Sequence, residues 1–368
     1  MAQSTTIFEK RTAGVLALED GRCFHGISVG YEGLFAGEVV FNTAMTGYQE
    51  VVTDPSYAGQ IIAMTTPQIG IVGMNAEDCE STDKPLARGL VMRELASRVS
   101  NWRATESLPD FLIRNQIVAL SEVDTRSITQ HLREHGTKRG VIAAGDWKVE
   151  ELVQKAKAAP QIEDVDFVDA ASVSKVVEWS EPGGTAPGSQ AKKFVVFDFG
   201  VKRSLLRSLV SLGAKVTLVP AQTLAADVLK MKPDGVVLSN GPGDPARLQH
   251  IVTEVKELIG KVPIFGIALG HQLLGLALGA KTQRLPFGHR GVQPVLNKQT
   301  SRVEMTAQNH SFCIASESMP ADVEVSHVNL NDGSVEGLRH KTLPICSVQF
   351  HPEAALSDTA DWLRACVQ

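Results

Sequence analysis

The sequence predicts an α/β protein of two domains: a C-terminal domain built on a mostly parallel sheet flanked by helices, and a smaller, β-rich N-terminal domain. Three observations lead there. From Lys193 onward short apolar runs alternate with amphipathic helical stretches, the pattern of a parallel sheet covered on both faces. Before residue 177 the periodicity is weaker, and Gly-rich, β-leaning stretches run from Val15 to Gly73. Between the two, the segment from Glu178 to Lys193 collects Pro, Gly, Ser and Thr with little hydrophobicity and reads as a linker. The expected domains are therefore 1–177 and 193–368, joined by 178–192.

In the N-terminal domain the clearest helix is Thr125 to His135. Beyond the linker, Phe194 to Phe197 is a strand. A helix follows from Lys202 to Leu212, with Leu205, Leu206, Leu209 and Val210 on one stripe and Gly213 as its stop. Lys215 to Val219 and Gly235 to Leu238 are further strands. Val262 to Gly275 reads as a buried strand passing through a Gly-X-X-X-Gly turn into a helix. The pieces Val303 to Thr306, Val323 to His327 and Ser334 to Leu338 have short links and no helices between them, so an antiparallel extension is expected. There is no internal repeat.

Composition excludes several functions. The 36 basic and 41 acidic residues leave a formal charge of −5 with no long basic run, which argues against nucleic acid as a partner. Five cysteines, Cys23, Cys79, Cys313, Cys346 and Cys366, are scattered and show no Cys-X-X-Cys pair, so reduced thiols are expected rather than disulfides or a zinc site, and no metal is expected. The first apolar stretch, Ala13 to Leu18, stops at Glu19-Asp20, and no run reaches membrane-spanning length. A soluble cytoplasmic protein without a membrane partner is the expectation.

Three segments carry chemistry. In Gly266-Ile-Ala-Leu-Gly270, Ala268 sits where α/β enzymes place a nucleophile, because a sharp strand-to-helix turn projects one side chain and aims the helix's first N–H groups at the same point. Alanine offers only a methyl. The loop Leu238-Ser-Asn-Gly-Pro-Gly-Asp-Pro245 follows a strand at the edge where open sheets bind ligands; Gly241 and Gly243 permit close backbone approach, while Pro242 and Pro245 stiffen it. The strand ending in His351-Pro-Glu353 spaces a base and an orienting carboxylate at i, i+2.

These segments resemble the class I glutamine amidotransferases, whose nucleophile turn reads Gly-Ile-Cys-Leu-Gly-His-Gln; the chain matches at every position except the cysteine, and loop, turn and His/Glu follow in the family's order. The N-terminal stretches Phe41-Asn-Thr-Ala-Met-Thr-Gly-Tyr-Gln-Glu50 and Thr53-Asp-Pro-Ser-Tyr57 are similar to the first domain of the carbamoyl-phosphate synthase small chain, as are Val123-Asp-Thr-Arg126, Asp198-Phe-Gly-Val-Lys-Arg203 and Gln308-Asn-His310. The resemblance implies a triad of residue 268, His351 and Glu353, and an oxyanion hole from the Gly241 and Leu269 amides. It also implies glutamine contacts at Ser56, Gly241, Gly243, Leu269, Gln272, Asn309, Ser311 and Phe312, with Ser56 reaching in from the first domain. By the same resemblance, ammonia passes to a large partner chain that uses ATP, Mg and bicarbonate to make carbamoyl phosphate for arginine or pyrimidine synthesis. This chain itself needs no cofactor.

The departures are specific. Besides Ala268, Ser311 stands where the family has Gly, the segment Phe287 to Pro294 lacks a usual Asn, and the stretch after Ala354 is replaced. Neither Cys313 nor Cys346 occupies the turn, and both are expected as buried structural thiols. The chain is thus expected to bind L-glutamine without hydrolysing it, whether Ala268 arose by natural loss or by a replacement made to trap glutamine. The alternatives are a structural or regulatory subunit of an ammonia-dependent synthase, or a free-standing glutamine-binding protein.

Overall fold

The computed structural model describes residues 12–81, 84–180 and 191–354; the Pro/Gly-rich middle of the expected linker, the altered stretch after Ala354 and Cys366 lie outside the described residues. The chain packs into two units, one running to Cys79 and resuming through Asp164, the other taking in Glu80 and the described residues from Val165 on. This division precedes the expected linker because the intervening segment packs with the second unit. Val168 enters its core, and Val177–Trp179 pairs antiparallel with Lys215–Pro220.

The first unit is a closed barrel. Its strands follow the order Ala13–Leu18, Cys23–Ser28, Val118–Ser121, Gly89–Val91, Gln60–Met64, Leu34–Asn42 and Lys138–Ala144, the last returning to the first. Closure removes the exposed edges that a sheet of this size otherwise presents. Glycines at Gly14, Gly37 and Gly89 mark places where a Cβ would overlap a neighbouring strand or side chain. The helix spans Thr125–His135 as the sequence predicts. Asp124 caps it by accepting the Ser127 N–H at 3.0 Å, Ile128 and Leu132 are buried, and Gly136 follows with a positive φ of 77°.

The second unit is a ten-stranded mixed sheet. Its parallel part places Lys215–Pro220, Lys193–Asp198, Gly235–Leu238, Ile264–Ile267 and Ile345–Val348 side by side. These strands read as continuous apolar runs because helices cover both faces. On one face pack Gln249–Leu258 and Leu269–Leu278, and on the other Arg203–Ser211, whose Leu205, Leu206 and Leu209 are buried as the stripe predicts. The sheet continues as an antiparallel extension through Val335–His340, Val323–Asn329, Thr282–Asn297 and Arg302–Ile314. The extension was legible in sequence, but its strands are longer than the apolar pieces that signalled it.

Candidate active site

Two neighbouring parallel strands deliver the central groups. Ile267 pairs with Val348, the Ala268 N–H donates to the Val348 carbonyl at 2.9 Å, and the chain runs on from Val348 to His351. Ala268 and His351 therefore leave adjacent strands at their carboxyl ends, the edge where open α/β sheets bind ligands.

Ala268 caps the helix Leu269–Leu278 with φ 52° and ψ −108°, a conformation disfavoured for a residue with a Cβ. The two flanking glycines have a steric cause. A Cβ on Gly266 would lie 2.7 Å from the Gly270 carbonyl oxygen, and one on Gly270 only 2.1 Å from that of Leu238. Leu269 opens the helix, so its N–H has no intrahelical acceptor, while the Gly270 N–H is held by the Ser239 carbonyl at 2.9 Å. We predict that Gly270→Ala will destabilise the second unit by about 3 kcal/mol, because backbone rather than a yielding side chain opposes the new methyl. Thermal unfolding should fall by roughly 5–10 °C; an unchanged midpoint would contradict the packing described.

The Gly241 loop lies against this turn. A Cβ on Gly241 would meet the Phe199 carbonyl oxygen at 2.3 Å and the Leu269 side chain at 2.8 Å, and Gly243 has a φ of 91°. Asn240 fixes the loop by accepting the Lys202 N–H at 3.2 Å and donating to the Gly200 carbonyl at 2.9 Å. Gly241 thus packs against the Leu269 side chain at the start of the helix.

His351 is buried at the end of its strand, where its N–H donates to the Ala307 carbonyl at 2.9 Å. Its Nδ1 lies 2.9 Å from Glu353 Oε1, while its Nε2 is buried and, among the described residues, finds no hydrogen-bond partner. An ionised carboxylate can only accept, so Nδ1 carries a proton, and in the neutral ring it is Nε2 that presents the lone pair. Lys202 completes the cluster with Nζ 3.3 Å from Glu353 and 3.7 Å from Glu80. Burial alone would raise the Glu353 carboxyl, but the charges of His351 and Lys202 overcome it and hold it down at about 2.

That depression has a consequence for stability. A carboxyl whose folded value lies below its ordinary 4.5 stabilises the fold fully above about pH 4.5 and loses that contribution as pH falls toward 2. Glu353→Gln should therefore cost about 2–4 kcal/mol at neutral pH, where it removes one partner of the buried Lys202. The difference from the parent chain should narrow between pH 4.5 and 2 in acid unfolding monitored by circular dichroism. A difference independent of pH would refute this account.

The remaining expected residues are placed as follows. Gln272 is buried, and its Nε2 donates to the Phe312 carbonyl at 2.7 Å and to Gln349 Oε1 at 3.0 Å. Asn309, Ser311 and Phe312 lie on the strand Arg302–Ile314, with the Ser311 hydroxyl held by Arg290 Nη2 at 2.6 Å. Ser56 belongs to the barrel unit, where it is buried and its N–H donates to Asp54 Oδ1 at 2.8 Å. Cys313 is buried, and burial pushes its thiol up to about 11; Cys346 is only half-buried, against expectation. His271, on the turn's helix, bonds Ser347 Oγ at 2.8 Å and is pushed by burial down to about 3, so it stays neutral.

Sequence reasoning missed Lys202 and Glu80 as members of the site. Lys202 sits inside the motif Asp198–Arg203, but nothing local to it signals a pairing with residues far along the chain.

Comparison with known proteins bears on both halves. Residues 16–142 match the family described as carbamoyl-phosphate synthase small chain, CPSase domain, and residues 195–367 match glutamine amidotransferase class-I. The chain is 49% identical over 349 residues to the carbamoyl phosphate synthase small chain of Syntrophotalea carbinolica, covering 93% of each. It is 48% identical over 353 residues to that of a Synechococcus species, covering 94% of this chain and 90% of the relative. To the rice chloroplastic small chain it is 46% identical, covering 92% of this chain and 78% of the relative.

Proposed function

The chain belongs to the carbamoyl-phosphate synthase small-chain family, the glutamine-amidotransferase subunits of a ligase, and from that premise we propose that it binds L-glutamine and joins a large chain, but does not hydrolyse glutamine. The observation that carries this reading is a proton-handling pair, His351 with Glu353, beside a strained turn whose apex is the methyl of Ala268.

The chemistry follows from the groups present. In a cysteine-bearing site the thiolate sulfur attacks the amide carbon, the tetrahedral oxyanion is held by two backbone N–H groups, and the imidazole gives a proton to departing ammonia. Water then cleaves the thioester. Here the Gly241 and Leu269 amides supply the two donors. His351 Nε2 is the base, and Glu353, held by Lys202, keeps the imidazole in the required tautomer. A methyl has no lone pair, so no covalent bond to the amide carbon forms and no ammonia leaves. Gln272, Asn309, Ser311, Phe312 and Gly243 are the proposed holders of the glutamine within the second unit.

Carbamoyl phosphate synthesis by the complex then draws on free ammonia, with ATP and Mg bound by the large chain. The test is reconstitution of the purified chain with such a large chain. Carbamoyl phosphate should form from ammonia, bicarbonate and ATP but not from glutamine, while calorimetry shows glutamine binding to the chain. Failure to form the complex would overturn the subunit assignment. Glutamine-supported synthesis at a rate matching ammonia would overturn the inactive site.

A further inference from the structure

Within the antiparallel extension of the second unit, three strands bury a set of donors that the proposed glutamine chemistry does not use. His289 on Thr282–Asn297, His310 on Arg302–Ile314 and Glu336 on Val335–His340 are all buried, and their ligand atoms lie within 4.8 Å of one another. Gln308 points its amide oxygen into the same space, 3.2 Å from His289 Nδ1 and 2.8 Å from His310 Nε2. We propose that His289 Nδ1, His310 Nε2, a Glu336 carboxylate oxygen and Gln308 Oε1 form a site for one divalent cation of the zinc class.

The spacing suits such an ion. Tetrahedral bonds of about 2.0–2.1 Å put ligand atoms about 3.3 Å apart; His289 Nδ1 lies 3.2 Å from Gln308 Oε1 and 3.6 Å from Glu336 Oε1, while the 2.8 Å between His310 Nε2 and Gln308 Oε1 has to widen as the ion enters. Two nitrogens and two oxygens make a borderline donor set that favours Zn²⁺ over calcium or magnesium.

The outer contacts point the same way. A metal-bound imidazole gives its other N–H to a carboxylate or a carbonyl. His289 Nε2 lies 2.9 Å from Asp332 Oδ2, and His310 Nδ1 lies 2.8 Å from the Phe312 carbonyl oxygen. Glu336 is oriented by Asn329 Nδ2 at 3.1 Å and by Gln308 Nε2 at 2.9 Å.

Proton counting supplies an independent reason. A neutral imidazole has one N–H. With its one proton spent on the Phe312 carbonyl, the buried His310 ring turns a lone pair at Nε2 toward the Gln308 oxygen 2.8 Å away. Turning the Gln308 amide over only moves the conflict, since its oxygen then meets the Glu336 carboxylate. A cation among the four donors converts that repulsion into a pair of bonds. The absence of paired cysteines, which led the sequence reading to expect no metal, does not bear on a site of this composition.

The experiment uses the full chain, produced without a histidine tag, stripped with EDTA and titrated with Zn²⁺ or Co²⁺. One equivalent should bind at micromolar or tighter Kd, Co²⁺ should develop the intense visible bands of a four-coordinate site, and Zn²⁺ should raise the unfolding midpoint. Glu336→Gln and His289→Gln should each weaken binding at least 100-fold. If either variant fails to fold, the Co²⁺-loaded parent chain decides: shifted, exchangeable imidazole N–H resonances from two coordinated histidines support the site, and their absence overturns it. No stoichiometric binding by the parent, or binding unchanged in both variants, also overturns it.

Discussion

Ala268→Cys will raise glutamine hydrolysis by the chain, measured in the presence of a carbamoyl-phosphate synthase large chain, by on the order of 10⁴–10⁶, the scale lost when a covalent nucleophile is deleted from an otherwise intact unit. The expectation is large because residue 268 and the His351–Glu353 pair leave adjacent parallel strands. The turn already holds residue 268 at φ 52°, so the new thiol inherits a geometry that the fold maintains. The helix Leu269–Leu278 begins immediately after it, and a helix N-terminus favours the thiolate. His351 Nε2 has its lone pair available from the adjacent strand. Release of ammonia or glutamate, followed for both chains at equal concentration, checks the prediction. If the parent chain hydrolyses glutamine as fast as the cysteine variant, the proposed mechanism is wrong. If neither is active, the departures at Ser311 and beyond Ala354 have disabled the pocket as well, and natural loss becomes the better account of Ala268.

In the same Ala268→Cys background, His351→Asn will remove on the order of 10³–10⁶ of the restored rate. Asparagine occupies similar space but cannot accept and return a proton. The effect should fall on turnover rather than on glutamine affinity, since His351 Nδ1 is committed to Glu353 and the proposed substrate contacts lie elsewhere. A reduction confined to affinity, with turnover intact, would show that His351 is only a binding residue.

Much of this site is legible in the sequence because its requirements are local. Gly266 and Gly270 are demanded because a Cβ there would lie 2.7 Å and 2.1 Å from backbone carbonyl oxygens, and no other residue type avoids that. Gly241 and Gly243 mark a loop for similar reasons. The alternation after Lys193 announces a parallel sheet because strands buried on both faces must be apolar throughout. The helix Thr125–His135 was legible as a span, and the fold adds its Asp124 cap and its buried Ile128 and Leu132.

Other features leave no local trace. Lys202 and Glu353 stand far apart in the chain, and each alone reads as a surface charge; only the sheet order that sets Lys193–Asp198 and Ile345–Val348 on either side of two intervening strands brings them within 3.3 Å. The His289, His310 and Glu336 cluster likewise requires three antiparallel strands in a particular register. The exposure of Cys346 depends on packing around it rather than on its apolar neighbours in sequence.

By itself, then, the sequence determined the two-part α/β architecture, the order of loop, turn and His/Glu, and the alanine at the apex of the turn, since backbone sterics and chemical identity belong to single residues. The tertiary structure alone decided which charge holds Glu353 ionised, which imidazole nitrogen is open, and which donors share a buried space. Those are properties of pairs distant along the chain, whose separation only the folded sheet specifies.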